Sequence, residues 1–69
     1  MSNIRTRVGL KIKQLREKKG WSQEQLGFEA DLHRAYIGHV ERGEKNLGIV
    51  NLEKICNALG IDMAEIFRK

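Results

Sequence analysis

Apolar residues recur along this chain at helical rather than strand spacing. Ile4, Val8, Ile12 and Leu15 fall three or four apart, with Arg5, Arg7, Lys11, Lys13, Lys18 and Lys19 largely on the other faces. That pattern predicts a first helix from about Ile4 to Lys19. Gly20 supplies the left-handed position that ends a helix at low cost. Trp21-Ser22-Gln23-Glu24-Gln25-Leu26 reads as a helix start, with Ser22 as N-cap and Gln25 closing an S-x-x-Q capping box. Trp21 staples onto Leu26 across the first turn. This second helix ends near Glu29 or Ala30.

Asp31-Leu32-His33 interrupts the pattern, and Ala35, Ile37 and Val40 begin another helical period that stops at Gly43. A polar loop, Glu44-Lys45-Asn46-Leu47-Gly48, follows. Val50, Leu52, Ile55, Cys56 and Leu59 make a fourth helix, closed by Gly60. Asp62 and Glu65 then read as a cap that opens a last turn or two burying Met63 with Ile66 or Phe67. No stretch alternates with period two for long enough to make a strand. The expectation is an all-α protein, a compact five-helix domain spanning residues 1–69.

Two short helices joined by about three residues meet at a steep angle, and that geometry has requirements. Gly27 provides the small residue where the helices cross. Leu26, Leu32, Ile37 and Val40 lock the pair from beneath. The exposed face of the third helix then presents His33, Arg34, Tyr36, Gly38 and His39. A helix of this kind fits the major groove of B-DNA, with its N-terminal residues reaching base edges.

Charge agrees with that reading without proving it. Thirteen Lys and Arg face nine Asp and Glu, a net charge of +4 in 69 residues, and basic proteins are drawn to polyanions. The single cysteine, Cys56, allows no intrachain disulfide and suits a reducing cytoplasm, so the expected location is cytoplasmic. No apolar run approaches a membrane span. His33 and His39 lie six apart with no ligand spacing, so neither metal nor cofactor is expected. No nucleophile–base pair or phosphate loop is present, and an enzyme is not expected.

The stretch Trp21 to Gly43, WSQEQLGFEADLHRAYIGHVERG, resembles the lambda-repressor-like (xenobiotic response element) helix-turn-helix family. The resemblance continues upstream through Val8 to Arg16 and downstream through Leu52-Glu53-Lys54-Ile55 to Leu59-Gly60-Ile61. Leu32 to Ile37 also resembles the recognition helix of small controller proteins of restriction–modification systems. The resemblance implies a transcriptional regulator that reads a near-palindromic operator as a homodimer. It places Arg34 and Ala35 at base edges, Arg34 on guanine O6 and N7 and Ala35 on a thymine methyl. Tyr36 then meets the central base pairs or a phosphate, or packs against the second helix, and His39 reaches a base further along. Gln23, His33, Lys45 and Asn46 fall on phosphate-contacting positions. Arg16 and Glu41 match a buried ion pair that ties the first helix to the third.

This chain departs from the family pattern at three places. Asp31 stands where glycine is usual at the turn. His33 replaces a Ser or Thr cap and caps poorly, and Leu47-Gly48 replaces a Pro-Ser pair. The apolar residues of the last third, Leu47, Ile49, Val50, Ile61, Ile66 and Phe67, point to a dimer interface through the fifth helix and the ends of the fourth; completing the monomer core is the other reading. Among regulators, a restriction–modification controller, a phage-type repressor and an antitoxin remain open, with RNA polymerase as a further partner. From another class, a protein-interaction module would keep the fold without needing Arg34.

Overall fold

The computed structural model describes residues 3–68. It has five helices in chain order, α1 (Ile4–Lys18), α2 (Gln23–Ala30), α3 (Arg34–Glu41), α4 (Ile49–Leu59) and α5 (Met63–Phe67), and no strand among the described residues. α3 packs against both α1 and α2, α4 lies against α2, and α5 bridges α1 and α4. Ile12, Leu26, Ile37 and Ile55 are completely buried, one from each of the first four helices, and Ile66 of α5 is nearly so. One core therefore draws on every element. No helix is long and apolar enough to cross a membrane.

The buried stripe of α1 differs from the one its apolar residues predict. Val8, Ile12 and Arg16 are buried at a spacing of four, whereas Ile4 is half exposed. An arginine takes the inner position because a carboxylate waits there. Gly9 of the same helix permits a close approach, since a Cβ at Gly9 would overlap the carbonyl oxygen of Val40. α1 and α3 thus meet backbone to backbone.

Helix ends show where local chemistry departs from simple caps. Asn3 accepts from the Arg5 N–H at 2.9 Å, and the Ser22 hydroxyl accepts from the Gln25 N–H at 3.0 Å. The reciprocal half of the capping box does not form. Gln25 instead donates to Glu29 one turn further on, at 2.8 Å, a contact favoured by helical i,i+4 geometry. Asp62 occupies the N-cap of α5 but makes no side-chain cap bond. Gly20, Gly43 and Gly60 all have φ near +75° and terminate α1, α3 and α4 as their sequence positions predict.

The apolar residues of the last third divide between two environments. Ile66 is 2% exposed and belongs to the core, while Leu47 and Ile61 pack partly against it. Ile66 thus serves the monomer core rather than a dimer interface, because α5 folds back onto α1 and α4. Ile49, Val50 and Phe67 remain open, at 73%, 63% and 45% exposure.

Candidate nucleic-acid interface

The joint between α2 and α3 is built by three backbone features. Asp31 is left-handed, with φ 58° and ψ 45°, the one described non-glycine residue at positive φ. Aspartate tolerates this region better than most residues, so glycine's usual place is filled with some strain. The Leu32 N–H then donates to the Gly27 carbonyl at 2.8 Å, closing the turn. A Cβ at Gly27 would stand 2.6 Å from the Leu32 oxygen, so the start of α3 leans on a glycine surface.

His33 caps α3, contrary to its poor standing as a capping residue. Its Nδ1 accepts from the Ala35 N–H at 3.0 Å, doing the work of a Ser or Thr oxygen. An accepting Nδ1 carries no proton, so the hydrogen of the ring lies on Nε2. That leaves His33 a donor on its outer edge, at the point where α3 begins.

Arg34 and Ala35, the first two residues of α3, are exposed. Arg34 stands 3.8 Å from Glu24 of α2, and both side chains are largely solvated, a loose pair that contributes little to stability. Tyr36 is half buried against the core, and its hydroxyl accepts from Asn51 Nδ2 of α4 at 3.2 Å. Its ring therefore packs towards the interior with the hydroxyl held by α4. Gly38 is buried and not part of the exposed face. The side chains of Arg42 and Gln23 close over it, at 3.2 and 3.3 Å from the position of a Cβ. His39 is partly exposed, its Nδ1 2.8 Å from Glu44 Oε1.

Beneath this face lies the ion pair of Arg16 and Glu41. Arg16 Nε and Nη2 donate to the two Glu41 oxygens at 2.7 and 3.0 Å, a bidentate arrangement, and Nη1 donates to the Trp21 carbonyl at 2.7 Å. The Glu41 hydrogen bond and charge push the Arg16 pKa further up, against the opposing effect of burial. α1, α3 and the loop before α2 are thereby joined through one guanidinium.

Gln23 completes this cluster. Its amide donates to Glu41 Oε1 at 3.1 Å, so in the free protein the side-chain nitrogen is turned inward and is not held out towards a phosphate. A carboxylate already present outbids an absent one. Gln23 is nevertheless the first residue of α2, where backbone N–H groups are left over by the helical ladder. Lys45 and Asn46 are exposed in the loop after α3.

Arg42 and Glu44 at the end of α3, and Asn51 against Tyr36 in its first turn, were not singled out by the sequence. The signal for the first two is short-range, opposite charges two residues apart flanking a helix-ending glycine. Asn51 carries no such signal, because its partner Tyr36 is fifteen residues away. Among the described residues no group of His, Cys, Asp and Glu side chains gathers in a way that would hold a metal.

A short helix crossing a shorter joint, with the second helix exposed at its N-terminus, is the geometry of the helix-turn-helix, and the helix-turn-helix family model matches residues 12–66. The chain belongs to the helix-turn-helix family. It is 47% identical over 66 residues to the control protein C.BamHI of Bacillus amyloliquefaciens, covering 94% of this chain and 82% of that one. The crystal structure of the restriction–modification controller protein C.AhdI from Aeromonas hydrophila superposes with a TM-score of 0.88 at 44% identity, covering 90% of this chain and 94% of the other. A variant of the controller C.Esp1396I bound to its highest affinity operator site gives 0.86 at 34% identity, over 97% and 88%. These relatives are regulators and control proteins rather than enzymes.

Proposed function

We propose that this helix-turn-helix chain is a sequence-specific DNA-binding transcriptional regulator, of the controller type, that reads an operator as a homodimer. The observation that carries the proposal is the exposed N-terminal end of α3, with Arg34 and Ala35 lifted clear by the glycine crossing at Gly27. The similarity to control proteins along most of both chains favours a restriction–modification controller over a phage-type repressor or an antitoxin. Operator binding by one structural relative agrees with the same use of the fold.

In this reading α3 enters the major groove. Arg34 forms a two-pronged bond to guanine, and Ala35 lies against a thymine methyl. His39 faces a base further along, and Tyr36 meets the central base pairs or a phosphate by giving up the Asn51 bond that holds its hydroxyl against α4. The backbone N–H of Gln23, His33 Nε2, Lys45 and Asn46 hold phosphates, and the Arg16–Glu41 pair fixes the angle at which the helices meet. Ile49, Val50 and Phe67 cover one another across the two-fold axis, which sets the recognition helices about 34 Å apart on successive grooves. Contact with RNA polymerase is the further step through which such a dimer activates rather than represses, read out by transcription from a template carrying the operator.

Selection of bound fragments from random DNA, followed by titration at several salt concentrations, tests the whole proposal. A two-fold motif with half-sites about one helical turn apart, bound with steep salt dependence, is the expected result. Failure to enrich any sequence would sink it and leave a protein-interaction module in its place.

A further inference from the structure

A cation at the end of α3 already holds an anion. Arg42 Nε donates to Glu44 Oε2 at 3.0 Å, and Nη2 lies 3.4 Å from Oε1. A planar fork meeting two oxygens is what a guanidinium offers to a carboxylate and a phosphate alike. His39 Nδ1 steadies the same carboxylate at 2.8 Å, and the Glu44 N–H donates to the His39 carbonyl at 2.9 Å. The hydrogen bonds from Arg42 and then His39 hold the Glu44 carboxyl below the usual range. The carboxylate is thus fixed in place from both its head and its backbone, yet the Arg42 and Glu44 side chains are 55% and 50% exposed.

The position of this pair matters as much as its geometry. Arg42 Nη1 approaches the surface over Gly38 beside the Gln23 side chain, so the guanidinium lies on the edge where the end of α3 meets the start of α2. Lys45 and Asn46 follow at once in the chain. We infer that Arg42 is a further binding residue for a DNA phosphodiester, and that Glu44 is its internal competitor, an anion of the chain itself occupying the fork until a backbone phosphate replaces it. The inference rests on the DNA-binding reading of α3. An exposed ion pair contributes little to stability, so the exchange meets small resistance from the fold.

The test compares the wild type, Glu44→Gln, Arg42→Ala and the double variant on the duplex recovered from random DNA and on a scrambled duplex of equal length. Glu44→Gln should tighten binding to both duplexes about 3- to 10-fold with the log–log salt slope little changed, whereas Arg42→Ala should flatten that slope by about 0.9, one phosphate fewer neutralised. In the Arg42→Ala background Glu44→Gln should give little or no gain. Thermal melts check that all four proteins fold, and Arg42→Gln, which keeps the aliphatic stem, substitutes if Arg42→Ala melts early. An unchanged slope in Arg42→Ala, or no gain in affinity in Glu44→Gln, overturns the inference. So does a gain that persists without Arg42, which would be a general field effect, or one confined to the selected sequence, which would mark a base contact. Wild-type protein that binds neither duplex overturns the DNA-binding reading itself, a distinct result.

Discussion

At the scale of single residues, the groups that fix the fold and those proposed to read DNA differ in burial, and so substitutions should separate them. Glu41→Ala leaves Arg16 as an uncompensated buried charge and releases Gln23, and breaking a buried pair from one side costs about 3–5 kcal/mol. Chemical denaturation should register that loss, with DNA binding failing only because the domain unfolds. Arg34→Ala should do the reverse, leaving the melting curve unchanged because Arg34 is exposed and its ion pair to Glu24 is loose. Its cost is expected in recognition, about 1–3 kcal/mol of discrimination at one base position, read from competition between the preferred and a substituted duplex. Cys56 is a third case. Burial raises its thiol pKa, so folded protein should resist thiol reagents that label it promptly in denaturant. Because the folded value lies above the unfolded one, its contribution to stability is complete below the unfolded value and is lost as pH rises through the folded one.

At the scale of elements, the joint between α2 and α3 concentrates the constraints. Gly27→Ala sets a methyl 2.6 Å from the Leu32 carbonyl, where backbone and not a flexible side chain must yield. Overpacking of this kind costs about 1–3 kcal/mol and should also tilt α3, so DNA affinity should fall by more than stability alone accounts for. Asp31→Gly should stabilise, by up to about 1 kcal/mol, because glycine adopts φ 58° without steric penalty; a raised melting temperature with unchanged DNA binding is the expected outcome. These elements were legible in the sequence for a physical reason. Capping residues, positive-φ glycines and three-to-four spacing act over a few residues, so the chain carries their signals locally. The close approach at Gly9 and the bond from Asn51 to Tyr36 were not legible, since each depends on how distant helices cross. Gln23 shows the limit most clearly. Its position at the head of α2 was readable, but the inward turn of its amide is set by Glu41, eighteen residues away.

At the scale of the whole molecule, the proposed homodimer rests on the exposed apolar residues of the last third. Composition alone assigns Ile49, Val50, Ile66 and Phe67 to the same surface, and the fold separates them. Ile66 is packed between α1 and α4 as part of the core, whereas Ile49 and Val50 open α4 with no cover in the monomer. Folding of one chain gains nothing from burying Ile49 and Val50, so a polar residue there should leave the monomer intact. Val50→Asp is therefore expected to melt as the wild type does at low concentration, yet to sediment as a monomer at concentrations where the wild type is expected to sediment as a dimer. Operator binding should then weaken steeply, because two half-sites are no longer engaged by one linked pair of helices. Ile66→Ala should instead lower stability by about 2–5 kcal/mol, the usual range for truncating a buried isoleucine, and lose dimer and operator binding together on unfolding. Sedimentation of both variants beside their denaturation curves distinguishes the cases. If Val50→Asp still forms the dimer, the exposed start of α4 is not the two-fold interface, and the partner surface must lie elsewhere.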